Sequence, residues 1–199
     1  MTILRQALLI LLAAYFGLTG CAAKRVIQDD NVFLSSANPP TKIKVNHEIN
    51  YIGKVADQRE VTYLYGKGGS IVDAESYLFA MNKNKNLIKG IIIRISEIKV
   101  GVHLPVLFDG IQRKLKAGIV KLNGQNYQFV VAPAENIFSS RENKLISDTG
   151  YIIQPCYMAK ALGRIFATED NGWIVITYFA DIKGMGGNYT CKEWSEKTC

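Results

Sequence analysis

From residue 41 onward the dominant spacing of apolar positions is two, the pattern of strands with one buried face and one wet face. In 49–55, Ile49, Tyr51 and Val55 alternate with Asn50 and Lys54, and in 60–65, Val61, Tyr63 and Tyr65 alternate with Glu60 and Thr62. The glycine-rich stretch 66–69 reads as a turn, and Tyr77, Phe79 and Met81 predict a third strand that ends at the polar tip 82–86. The segment 87–100 is long for one strand, and its alternation slips at Ser96 and Glu97, as a β-bulge would allow.

Two segments depart from this period. Leu104, Leu107, Phe108, Ile111 and Leu115 fall at helical spacing with Pro105 in a first-turn position, so a helix is expected there, with Gly110 as its weak point. Residues 134–149 are polar and predict a short helix. Asn123-Gly124 carries the strongest local signal, because both residues tolerate the positive φ of a two-residue hairpin turn. Pairing outward sets Leu122 opposite Gln125, Val120 opposite Tyr127 and Gly118 opposite Phe129, which places Val120, Tyr127, Phe129 and Val131 on one face. A second hairpin is expected around Asp170-Asn171-Gly172, and its second strand, 173–180, is apolar on both faces and should be central or covered by the helix. The sum is an α+β fold, a mainly antiparallel β-sheet with one or two helices.

The N-terminus reads differently. Arg5 precedes an uninterrupted apolar run from Ala7 to Phe16, and Leu18-Thr19-Gly20-Cys21 follows. This is the layout of a secretion signal, and the apolar run is about half the roughly 20 residues a spanning helix needs. The last four residues resemble the lipobox of bacterial lipoprotein precursors. That resemblance covers residues 1–21 and implies cleavage between Gly20 and Cys21, a diacylglycerol on the Cys21 thiol and an acyl chain, such as palmitate, on its new amino group. In that class Asp after the modified Cys holds a protein at the inner membrane; Ala22 stands here, which implies the outer membrane, facing the periplasm. Residues 22–40 have little periodicity and end in Asn38-Pro39-Pro40, so they are expected to be a flexible tether reaching about 25 Å. The expected organisation is a signal peptide at 1–20, a lipidated tether at 21–40, one globular domain at 41–183 and a cysteine-containing tail at 184–199.

Charge changes this picture little. The chain has 24 Lys and Arg against 17 Asp and Glu, a net charge of +7. That surplus is too diffuse to point to nucleic acid, but it favours attraction to anionic surfaces. Its basic residues concentrate at the Lys83/Lys85 tip and at Arg113 and Lys116, which on a helix from 105 would form an exposed basic face. Such a face is either solvated or docks to anionic headgroups or an acidic protein.

Of the 4 cysteines, Cys21 is committed to lipid, which leaves an odd number in an oxidising compartment. Cys191 with Cys199 is the expected disulfide, closing a short loop worth about 2.5 kcal/mol, with Cys156 bonded to a tail cysteine as the alternative. If left over, Cys156 is expected to be a buried apolar residue rather than a nucleophile served by His47 or His103. Trp194 either anchors a partner or packs back on the domain.

No catalytic signature is present: no H-E-x-x-H, no C-x-x-C, no G-x-S-x-G and no phosphate-loop spacing at 66–70. Paired carboxylates among Glu97, Asp109 and Glu135 would suit a cell-wall hydrolase only if two of them converged. No metal or cofactor is expected beyond the lipid on Cys21. The sequence therefore predicts a non-enzymatic, lipid-anchored binding module with an envelope protein partner. The alternatives are a small envelope hydrolase, or a lipid or small-ligand carrier with an apolar cavity.

Overall fold

The computed structural model describes residues 25–28, 31–36, 40–62, 69–100, 107–108, 111, 113–166, 172–185 and 191–193. The chain divides into two compact units, Met1–Lys44 and Val45–Cys199. The lipobox, including Gly20 and Cys21, lies outside the described residues, as do Asp109, Trp194 and Cys199. No helix among the described residues is long and apolar enough to cross a membrane.

The first unit corrects the tether. Strands β1 (Arg25–Gln28), β2 (Val32–Ser35) and β3 (Thr41–Lys44) pair as an antiparallel sheet in that order. Val26 lies opposite Leu34, and Phe33 lies opposite Ile43. The apolar pieces Val26-Ile27 and Val32-Phe33-Leu34 are too short to show a period alone. They are rich in residues that favour a pleated surface, and pairing makes them strands. Asn31, in the left-handed region at φ 57°, helps turn the chain between the first two.

The second unit is a seven-stranded, fully antiparallel sheet in the order β4-β5-β6-β10-β9-β8-β7. Its strands are β4 (Asn50–Thr62), β5 (Gly69–Lys83), β6 (Asn86–Val100), β7 (Lys116–Leu122), β8 (Gln125–Ala134), β9 (Tyr157–Phe166) and β10 (Gly172–Asp181). The two strands expected within 49–65 are one strand, paired with β5 from Asn50 opposite Ala80 to Thr62 opposite Gly69. A bulge after Tyr51 shifts its register, and the alternation read as two shorter runs because Ala56-Asp57-Gln58-Arg59 between them holds no large apolar residue. Strand β6 does slip, but not at Ser96. That small side chain is buried opposite Ala74 and Trp173, and the irregularity falls between Ile98 and Val100, with another near Leu87.

The hairpin at Asn123-Gly124 has the expected register throughout, with φ 48° and 79° at its two turn residues. Strand β10 is central, hydrogen-bonded to β6 on one side and β9 on the other. The tip between β5 and β6 is a second two-residue turn, with Asn84 and Lys85 both at positive φ.

The long helix expected over 104–115 is not formed by the described residues. Leu107 and Phe108 form a turn, Ile111 and Arg113 are irregular, and β7 begins at Lys116. Phe108 has φ 66°, a left-handed conformation that no right-handed helix accommodates. The apolar spacing instead reflects separate half-buried residues: Leu107, Phe108, Ile111 and Leu115 are each partly covered, with Leu107 and Phe108 lying against Gly163. The short helix expected within 134–149 is present as α1 (Ser140–Asp148). Ser139 caps it: its hydroxyl accepts the Glu142 N–H while the Glu142 carboxylate accepts the Ser139 N–H. The 3-10 helix Ile182–Met185 follows β10.

One face of the sheet packs under the α1 segment. Leu78, Leu87, Ile92 and Phe179 from the strands meet Phe138 and Ile146 from above. Phe138, Tyr157 and Phe179 stack edge to face at 5.1 to 5.8 Å. Burial pushes the Tyr157 hydroxyl up to about 12 against the pull of the Gln154 N–H it accepts, so it stays protonated and donates to the Leu87 carbonyl.

Candidate functional site

Two features of the second unit lie where the α1 segment does not cover the sheet. The first is the edge strand β7. Strand β8 is its only partner among the described residues, and every residue from Lys116 to Leu122 except Val120 is exposed, Ile119 at 71%. The two-residue turn closes on a hydrogen-bonded pair at Leu122 and Gln125. The alternation of antiparallel pairing then turns the backbone groups of Ala117, Ile119 and Lys121 outward, away from β8.

The opposite edge is defended. Along β4, Lys54 pairs with Glu75, and Arg141 of α1 donates to the Ala56 carbonyl while approaching Asp57. Charges and a capped carbonyl discourage strand addition there. On β7 the centre is Gly118, Ile119 and Val120, and the only charges are Lys116 and Lys121 toward its ends.

The second feature is a cavity of about 270 Å³ beside that edge. Its floor is made of small side chains, Ala132 and Ala134 of β8 and Ala159 and Ala161 of β9; on β10 beside them, Thr177 lies opposite Ala161 and Phe179 opposite Ala159. Phe108 and Ile111 lie over it. A smaller cavity of about 230 Å³ adjoins it toward β7, sharing Phe108 and Val130 and reaching Lys114 and Ile119. Leu107 and Phe108 seat directly on Gly163 of β9, where a Cβ would come within 2.8 Å of both side chains. Glycine at 163 is what lets this turn approach the sheet so closely.

At the far end of the larger cavity stands Arg94 of β6. Its guanidinium grips Glu142 through Nε to Oε1 at 2.8 Å and Nη2 to Oε2 at 2.7 Å, and also donates to the Ile137 carbonyl. The Glu142 side chain is 1% exposed. Burial by itself would raise its pKa, but Arg94, the Ser139 N–H and Ser76 outweigh that and hold it down at about 2. The pair is ionised and neutral overall, so it ties the helix start to the middle of the sheet and adds no net charge to the cavity. Arg94 falls within the alternating strand 87–100, which gives no sign of a buried ion pair. The Ser139-x-x-Glu142 spacing was the signal that could have found its partner.

The residues singled out from sequence are not brought together. Lys83 and Lys85 are exposed at the β5–β6 tip, where Ile152 N–H donates to the Lys85 carbonyl. Arg113 and Lys116 are exposed beside β7, five strand positions away, roughly 24 Å along a flat sheet. The single basic helical face is therefore corrected: the described residues do not form the helix that would have presented Arg113 and Lys116. The disulfide is corrected as well. Cys191 bonds to Cys156, not to Cys199, with Cα atoms 5.4 Å apart. Both are buried with Ile182, so the bridge clips the tail to the start of β9 instead of closing a small loop within it. Glu97 lies on β6, while Glu135 follows β8 and is exposed. His47 is also exposed.

No protein family, curated protein or solved structure matches this chain.

Proposed function

We propose that the protein is a lipid-anchored bacterial envelope lipoprotein, held in the outer membrane by acyl chains on Cys21, whose sheet domain is a non-enzymatic module that binds an envelope protein. The open edge of β7 carries this reading. It offers the outward backbone groups of Ala117, Ile119 and Lys121 to an extended segment, with exposed Ile119 for apolar contact and Lys116 and Lys121 favouring an acidic neighbour. The buried Cys156–Cys191 bridge supports an oxidising compartment. With β1 beginning at Arg25, the chain from Cys21 spans at most roughly 14 Å, so the first sheet would sit close to the lipid headgroups instead of at the end of a long tether.

Two experiments test the two halves of this proposal. Cys21→Ser is expected to move the protein out of the membrane fraction or trap it as an uncleaved precursor; membrane association that persists unchanged refutes the anchor. For the edge, a photo-crosslinking residue at Leu122 in intact cells is expected to capture one discrete envelope protein. Ile119→Pro is expected to abolish that capture, because it removes an outward N–H while sparing the bonds to β8. Capture that survives the proline refutes strand addition.

A further inference from the structure

The alanine floor on β8 and β9 lies beneath large apolar side chains, Phe108, Ile111 and Ile137, which leave an apolar space between them. We infer that the paired cavities form a binding site for the single acyl chain of an anionic amphiphile. An apolar cavity of about 150 Å³ takes a benzene-sized molecule, so the 270 Å³ chamber takes a chain of roughly ten carbons. The adjoining 230 Å³ chamber takes the carbons nearest the head. Phe108 separates the two, and its left-handed backbone is the kind of local strain found at ligand clamps. Rotation of its ring would join them.

The direction of the chain follows from charge. Arg94 at the inner end is already neutralised by Glu142, so it attracts no second anion. At the outer end, Lys114 lines the smaller chamber, and Arg113 and Lys116 flank it in sequence, all three exposed. A carboxylate or phosphate there meets the Lys114 ammonium, while the hydrocarbon lies on Ala132, Ala159 and Ala161; Lys116, paired with Val131, faces the other side of the sheet. This inference stands apart from the membrane anchor; it shares Ile119 with the strand-addition reading, but the alanine floor, where its test is aimed, is used by neither.

The test is displacement of a dansylated undecanoic acid from the full chain carrying Cys21→Ser. Dodecanoic acid, dodecanol and a single-chain lysophosphatidylglycerol are the competitors. Saturable one-to-one binding is expected, with dodecanoic acid at least tenfold tighter than octanoic acid. Ala161→Leu fills the floor and should abolish binding while leaving thermal stability equal or higher, which separates loss of the site from loss of the fold. Lys114→Glu should weaken dodecanoic acid at least tenfold and leave dodecanol unchanged. Displacement by dodecanoic acid but not by the lysophospholipid marks a fatty-acid site, and displacement by the lysophospholipid marks a phospholipid-derived one; either supports the acyl site. No saturable binding of any of them, or binding undiminished in Ala161→Leu, overturns it.

Discussion

Glu142→Ala is expected to cost about 3–5 kcal/mol of folding stability, enough to unfold many domains of this size. The change removes two of the three acceptors of Arg94, whose guanidinium then keeps only the Ile137 carbonyl and lies beside Thr177 and the alanine floor without its counter-ion. It also takes away the carboxylate half of the capping box at the start of α1. Replacing both charges, as in Arg94→Met with Glu142→Leu, should cost well under the sum of the single changes, since neither ion is then left stranded. Urea denaturation of the three variants measures this. A loss below about 1 kcal/mol in Glu142→Ala would show that the pair contributes little.

The same carboxyl predicts an acid dependence. Its folded pKa of about 2 lies below the ordinary 4.5, so the unfolded chain binds the proton more readily and protonation favours unfolding. The stabilisation from Glu142 is complete above about pH 4.5, fades as pH falls toward 2, and is absent below that. Glu142→Gln should flatten the stability profile across that window.

Reduction of the Cys156–Cys191 bridge is expected to lower stability by roughly 4 kcal/mol, the chain-entropy figure for a loop of this length. That exceeds what the short Cys191–Cys199 loop would have contributed, because a longer loop removes more freedom from the unfolded chain. The bridge also holds residues 191–193 against Ile182, so its loss should expose the tail to proteolysis first. Peptide mapping under non-reducing conditions should return a fragment linking Cys156 to Cys191. A Cys191–Cys199 peptide in its place would refute the pairing, and a Cys156→Ser/Cys191→Ser chain as stable as the parent would refute its contribution.

Which readings survived follows from the range of the interactions involved. The Asn123-Gly124 hairpin was legible to the residue because a two-residue turn fixes the register of everything that follows, and the hydrophobic alternation agreed with it. That β10 would be central or covered by the helix was legible from side chains that are apolar on both faces, and its pairing with both β6 and β9 made it central. The expected helix at 104–115 misled because helical spacing records only that several residues are buried, not that they share a regular backbone. Phe108 at positive φ and Gly163 across the sheet satisfy the same burial with a turn. The strands at 25–44 were missed because pieces of four residues show no period until a partner pairs with them.

Local chemistry, then, was readable from the sequence alone: the hairpin turn, the mainly antiparallel class and the short helix after β8 each depend on neighbouring residues. The order of the seven strands, the Arg94–Glu142 pair across 48 positions, the Cys156–Cys191 bridge, the bare edge of β7 and the alanine floor beside it were decided by tertiary structure. Each of these joins residues far apart in the chain, and their meeting depends on how the strands stack, which no local pattern encodes.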